Sequence, residues 1–300
     1  MVDEWDYMDG EENGVVIINI AQSVPLEYAL PLYGFLMPLL VAVTTVTNTF
    51  IVVVLSQKHL RTPTNFVLVS MAIADLLTGL TSLPWFLYYY TLKGYEADEQ
   101  WGLNSFWCHV YPFLSYIIPT IWHTAGIWLT VFLAVQRYVY VCVPSFVHRL
   151  CTPKTTRVAV AFITAFSLLT EMPDLLGKYM EQVEVDDRSI CILRHSSWVL
   201  EVLGVQLFYT FHYWFRVALV QVLPCILLII FTYKLARTIH QTEVRKRSWV
   251  SAMSELPSSS NYHNSSDPAY GEESNGNSAN PVVTLSEFLA LHCYVANLML

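Results

Sequence analysis

Charge is scarce in this chain. Only 13% of its 300 residues are Asp, Glu, Lys or Arg, about half the roughly 25% of a soluble domain. That shortfall excludes a disordered chain and a cytosolic protein of average surface. Basic residues are the rarer sign, 16 Lys and Arg against 24 Asp and Glu for a net charge of −8, so nucleic acid as a partner has no electrostatic support. The six cysteines are too few and too scattered for a small disulfide framework, and no C-x-x-C pair implies zinc or redox chemistry. Residues 1–30 contain no Lys or Arg, which excludes the basic start of a secretory signal peptide. With Asp3, Glu4, Asp6, Asp9, Glu11, Glu12 and Glu27, this stretch reads as an acidic, flexible extracellular tail. There is no serine–histidine pair, facing carboxylate pair or H-E-x-x-H helix to imply an intramembrane hydrolase. The internal repeats of a transporter are likewise missing. No metal or cofactor is implied.

What the chain does have is apolar length, with 54% hydrophobic and 14% aromatic residues. Residues 31–55 carry no charge, and 25 residues at ~1.5 Å each exceed a ~30 Å hydrocarbon core. A second apolar run, 65–90, is broken only by Asp75 and ends in aromatics suited to a membrane interface. Further spans are predicted at about 106–141, 155–173 and 209–239, the last with Pro224 inside it. The expected fold is an all-α membrane protein with a lipid bilayer as its solvent and a bundle over 31–240. Residues 241–281, rich in Ser and Asn, read as a disordered cytosolic linker. The apolar tail 282–300, interrupted by Glu287, His292 and Asn297, is a poor sixth span. Because lipid-facing and buried sides are both apolar, periodicity does not show which way each helix faces.

Sorting charge by segment predicts the topology. The links after spans one, three and five, with the helix ends beside them, hold eleven basic residues against the single Glu243. The N-terminal tail and the other two links hold sixteen carboxylates against Lys93, Lys178, Arg188 and Arg194. By the positive-inside rule the N-terminus is outside and the basic face cytosolic, in a multi-pass plasma-membrane protein.

Span three ends in Gln136-Arg137-Tyr138, and an Arg at the end of an apolar helix must snorkel or find a partner. It does not stand alone: Asn48 lies in span one, Asp75 in span two, Cys108 at the outer start of span three and Pro224 in span five. In this pattern the chain resembles the rhodopsin-like (class A) G-protein-coupled receptors, with Arg137 at the arginine of their D/E-R-Y motif. Leu60-Arg61-Thr62-Pro63-Thr64-Asn65, His123-Thr124-Ala125-Gly126-Ile127-Trp128, the stretch from Gln136 to Cys142, and Phe215-Arg216-Val217 are most similar to the invertebrate sex peptide/myoinhibitory peptide receptors. Myosuppressin-type neuropeptide receptors come second. The resemblance implies a receptor that binds an extracellular peptide and signals to a heterotrimeric G protein.

It also implies roles for particular residues. Gln136, Arg137 and Tyr138 would govern coupling, although Gln136 replaces the usual acidic residue and removes the carboxylate that restrains Arg137; raised basal activity is one consequence to expect. Cys108 and Cys191 would form the disulfide between helix three and the second outer loop. Asp75 would be an internal polar hub with Asn48, or a sodium ligand in the manner of the family, though Gly126 replaces a hydroxyl often used there. His123, Trp122, Glu171, His212 and Arg216 are candidates for a ligand pocket. For Arg216 two readings stand, one pointing inward to Glu171 or a ligand and one snorkelling outward; for His123 the alternative is a hydrogen-bonded core residue. Pro112 and Pro119 predict a distorted start to helix three. The family's helix-six and helix-seven motifs do not occur in residues 241–300. The expectation is therefore a chain truncated after helix five, with a non-signalling decoy that pairs with a full-length receptor, or a transporter fragment, as the alternatives.

Overall fold

The computed structural model describes residues 15–18, 20, 25–185 and 188–254. Five helices in it are long and apolar enough to cross a membrane: α1 (Leu26–Leu55), α2 (Pro63–Thr91), α3 (Ser105–Cys142), α4 (Pro153–Gly177) and α5 (Val205–Trp249). α3 is central and packs against α2, α4 and α5, while α1 leans on α2. Side chains on the outer faces stay uncovered by protein, among them Val46, Phe50, Phe162 and Ile229, each about 70% exposed. In water such stripes would be costly; in lipid they face a solvent of their own kind.

Two of the helices begin with the same local chemistry. Thr62 and Thr152 are N-caps whose hydroxyl oxygens accept from the Asn65 and Thr155 amides at 3.1 and 3.2 Å, and each is followed by a proline at the first helical position. Proline has no amide to leave unsatisfied there, so Thr-Pro is a strong start signal. α4 therefore starts at Pro153 rather than 155. It also runs past Pro173 to Gly177, because a proline near the C-terminal end of a helix costs one hydrogen bond without stopping the last turn.

Inside the spans, prolines act differently. Pro224 has no amide to offer the Val220 carbonyl, and just before it the register widens to a π turn over Val217–Val222, with the Leu223 amide donating to the Ala218 carbonyl. Between Pro112 and Pro119, α3 widens over Phe113–Ile117. The distorted start expected from those two prolines is thus a π turn.

Outside the helices lies a small antiparallel sheet of order β1-β3-β2, comprising β1 (Val15–Ile17), β2 (Lys178–Val185) and β3 (Arg188–His195). Cys191 on β3 is bonded to Cys108 at the start of α3, so the disulfide implied by the family resemblance is formed. Under the hairpin an aromatic cluster gathers Trp85, Tyr89, Tyr111 and Trp107, with Trp85 4.8 Å from Tyr89 and 4.4 Å from Tyr111 between ring centres. The Tyr89 hydroxyl donates to Asp98 at 2.8 Å, and burial pushes the Asp98 carboxyl above the usual carboxylate range while that hydrogen bond opposes the shift. Gly102 has φ +81°, and a Cβ there would fall 1.7 Å from the Ser189 carbonyl oxygen, so only glycine lets this loop lie against β3.

Two expectations need correction. The acidic tail over 1–30 is not wholly a tail, since β1 pairs with β3 and α1 begins at Leu26; the run Val15-Val16-Ile17 has the β-branched character that favours a strand. The linker predicted from residue 241 starts too early, because the helix continues through Leu223–Ser254. Gln, Glu, Arg and Lys there are good helix formers, and charge that bars a residue from lipid does not bar it from a helix extending beyond the membrane. The doubtful sixth span at 282–300 lies outside the described residues.

The disulfide closes a loop with a sequence separation of 83, for which the chain-entropy account gives about 4.5 kcal/mol. Cys108→Ser, Cys191→Ser and the double variant should therefore lose the same amount of thermal stability in detergent, since each breaks one bond; unequal losses would mean the cysteines act separately. Thr62→Ala and Thr152→Ala should each cost about 1 kcal/mol, read as a smaller, additive fall in Tm.

Candidate functional site

Three polar constellations are set along the axis of α3. The outermost lies beneath the hairpin. Glu171 and Asp174 are three residues apart on α4, and His212 and Arg216 four apart on α5, so each helix presents its pair on one face. The faces meet. Arg216 Nε lies 3.4 Å from Glu171 Oε1 and its Nη1 3.9 Å from Asp174 Oδ2. His212 Nδ1 lies 3.7 Å from Asp174 Oδ1, and His212 Nε2 faces the Thr170 carbonyl at 3.2 Å, which makes that nitrogen the donor. α3 contributes Tyr116, whose hydroxyl accepts from Arg216 Nη1 and whose ring lies 5.2 Å from the guanidinium carbon. Lys178, at the start of β2, reaches Asp174 at 3.4 Å and passes 5.4 Å over the Tyr116 ring.

Of the two readings of Arg216, the inward one holds, since the residue is only 8% exposed. Two acidic side chains, Glu171 and Asp174, face two basic ones, Arg216 and Lys178, so these four balance in formal charge. The balance is incomplete in one respect: both oxygens of Glu171 are buried without a hydrogen bond, so its contact with Arg216 is charge alone. A buried carboxylate in that condition keeps most of its desolvation cost and can still accept from an N–H donor. Nearby, the Tyr209 hydroxyl and His195 Nδ1 are 3.2 Å apart, with the His195 ring held below the ordinary imidazole range by burial and by the Lys178 ammonium.

Glu171, His212 and Arg216 from the sequence-derived set are thus brought together. Trp122 and His123 lie about two turns further along α3 and are half-buried; Arg216 touches α3 at Tyr116. Asp174 and Tyr116 were not legible as members. The usable signal for Asp174 is its three-residue spacing from Glu171, obscured by Pro173 as an assumed helix end.

Midway down, Asn48 is buried on α1 and Asp75 sits on α2 facing α3. A Cβ on Gly126 would lie 3.5 Å from Asp75 Oδ1, an ordinary contact distance, so Asp75 comes close to α3 at this glycine without requiring it. Thr130, one turn on, returns its hydroxyl to the Gly126 carbonyl at 2.9 Å.

At the far end Gln136 is 1% exposed and its Nε2 donates to Thr156 Oγ1 on α4 at 3.2 Å. Tyr138 packs on Phe231 of α5 with ring centres 5.5 Å apart, under the Lys234 ammonium at 5.8 Å. The Cys142 thiol donates to Thr238 at 3.3 Å. The foot of α3 is therefore fastened to α4 on one side and α5 on the other, with Arg137 exposed beside these ties. Among the described residues Arg137 has no carboxylate within ion-pairing distance.

Comparison with known proteins agrees with this layout. The sequence profile of the 7 transmembrane receptor (rhodopsin family) matches residues 47–290. The sex peptide receptor of Drosophila melanogaster is 38% identical over 242 residues, covering 79% of this chain and 55% of the relative. The sex peptide receptor-related protein 2 of Caenorhabditis elegans is 31% identical over 71% of this chain and 49% of its own length. A D(2)-like dopamine receptor of Takifugu rubripes is 25% identical over 56% of the chain and 34% of the relative. The chain thus spans about half the length of the first two relatives. These relatives are receptors rather than enzymes, and the chain belongs to the rhodopsin family of seven-transmembrane receptors.

Proposed function

We propose that this protein is a peptide receptor that receives its ligand on the hairpin side and passes the signal to a heterotrimeric G protein at the foot of α3. The observation that carries the reading is Glu171, a buried carboxylate without a hydrogen bond, in a cluster walled by α3, α4, α5 and the hairpin. A peptide offers amide, amine and indole N–H donors that complete such an acceptor. The sex peptide receptors among its relatives favour a peptide over a small amine. At the opposite end, exposed Arg137 beside the ties to α4 and α5 is placed for a G protein.

The same reading puts the N-terminus outside the cell. Two independent supports point that way: basic residues crowd the links at the Arg137 end, and the disulfide lies at the other end, where an oxidising compartment lets it form. Cys142 and Cys151, on the Arg137 side, keep free thiols.

The test is expression with a G-protein biosensor and exposure to Drosophila sex peptide, with surface arrival measured in parallel. A peptide-evoked response is expected, and silence at normal surface level would overturn autonomous signalling. Glu171→Gln should raise the half-maximal peptide concentration roughly tenfold, the effect of losing one charge-assisted hydrogen bond, without changing surface level; an unchanged value would remove Glu171 from the ligand site. Gln136→Glu puts a buried carboxylate beside exposed Arg137, and a restraint on Arg137 worth about 1 kcal/mol should lower basal G-protein activity about fivefold; unchanged basal activity would remove this position from the restraint.

A further inference from the structure

Lys178 sits in a three-sided cage at the hairpin end of the bundle. Its ammonium lies 3.4 Å from Asp174 Oδ1 and passes over two aromatic rings, 5.4 Å from the centre of Tyr116 and 5.9 Å from that of Tyr209. The walls come from three helices, Tyr116 from α3, Asp174 from α4 and Tyr209 from α5. A carboxylate beside two tyrosine rings holds an ammonium group both by charge and by the negative faces of the rings. The occupant is the less fixed of the two cations in the cluster. The Arg216 side chain is 9% exposed and is held by Glu171, Asp174 and Tyr116 together. The Lys178 side chain is 21% exposed, and its backbone belongs to β2, where it pairs with His195. The flexible stem of a lysine can therefore swing its charge out to water without disturbing the hairpin.

We infer that this cage is a binding site for a ligand's ammonium group, and that Lys178 fills it until such a group takes its place. The walls select the chemistry. Exchange of one ammonium for another keeps Asp174 compensated, whereas a neutral group would leave that carboxylate, 4% exposed, to the longer 3.9 Å contact with Arg216. A guanidinium's flat fork wants two acceptor oxygens. Asp174 turns Oδ1 to Lys178 and Oδ2 to Arg216, so one oxygen is on offer, which suits a compact point charge. The N-terminal tail and the links on the hairpin side carry sixteen carboxylates against four basic residues, a field that draws cations to this end. The cage itself stands on geometry alone. That the incoming ammonium belongs to a peptide rests on the reading above, and a peptide can supply it from its α-amine or from a side chain.

The test has two arms. In the first, the full chain is purified in neutral detergent and its Tm is followed in n-butylammonium, which reproduces the stem and charge of a lysine side chain, and in n-butanol. Lys178→Ala empties the cage, and the ammonium at ten times its dissociation constant should raise the Tm of this variant by about 3 °C. n-Butanol should not. Nor should n-butylammonium stabilise Lys178→Ala with Asp174→Asn, or Lys93→Ala, which loses an exposed lysine paired with Glu96. Lys178→Thr suits a strand and vacates the cage equally if the alanine variant folds poorly. No rise in the vacated variants, or an equal rise in the controls, would overturn the ammonium site. In the second arm, Drosophila sex peptide is applied with the G-protein biosensor in three forms: unmodified, acetylated at its α-amine, and acetylated at every amine. Removing the competing lysine in Lys178→Ala should lower the half-maximal concentration of the unmodified peptide about threefold. Acetylating the bound amine should raise it about tenfold on the unmutated receptor. Loss on α-acetylation assigns the α-amine, and loss only on full acetylation assigns a side-chain amine. Equal signalling with every amine blocked, or weaker signalling in Lys178→Ala, would overturn the exchange. Silence on both receptors would fail the peptide reading instead, and the first arm then decides the cage.

Discussion

A peptide group in hydrocarbon has no water to turn to, and most of this structure follows from that constraint. Each spanning segment must satisfy its own backbone, which is why the apolar runs are helices and why the strands among the described residues lie outside them. Several hydroxyl residues in the spans obey the same demand: Thr45, Thr78, Thr81 and Ser167 all return their hydroxyls to carbonyls four residues back, at 2.6–3.0 Å. They are polar by composition and silent toward lipid. Prolines are absorbed likewise, with the ladder slipping to a wider turn before Pro224 and between Pro112 and Pro119 rather than leaving carbonyls stranded. Those wider turns rotate the outer parts of α3 and α5 relative to their inner parts, and Tyr116 and Arg216 meet at that level.

Charge in such a setting is admitted only for a purpose or with a partner. Glu171, Asp174, Arg216 and His212 pair across α4 and α5, yet the match is imperfect, and replacing buried ion pairs by packed apolar groups is often no loss in stability. Stability is therefore a weak reason for the cluster to exist. Its position beneath a hairpin that is stapled to α3 gives a better one, since the staple fixes the lid of the cluster to the helix whose other end carries Arg137.

Much of this was readable in the residues, and the failures have physical causes. The spans show as charge-free runs because lipid tolerates little else, and the family emerges from short motifs spread along them. Helix ends are less legible: at 153 the cap chemistry of Thr-Pro outranks hydropathy, and at 239–254 hydropathy falls while helix propensity does not. The sheet was missed although Val183, Glu184 and Val185 alternate, because β1 pairs with β3 across 175 to 179 residues, from Ile17↔Ile192 to Val15↔Arg194, and long-range pairing leaves no local trace. Tyr116 escaped for a related reason. Its role depends on how a π turn rotates the helix, and periodicity cannot report that in a segment apolar all round.

The hydrogen bond from Gln136 to Thr156 has a consequence for the compartments through which a receptor travels. A carboxylate beside Arg137 would be a titratable latch, weakened wherever the surroundings turn acid. An amide neither gains nor loses a proton across that range. The tie between α3 and α4 is therefore the same at the cell surface and in an acidifying vesicle, and the foot of α3 carries no proton-sensitive catch at this residue.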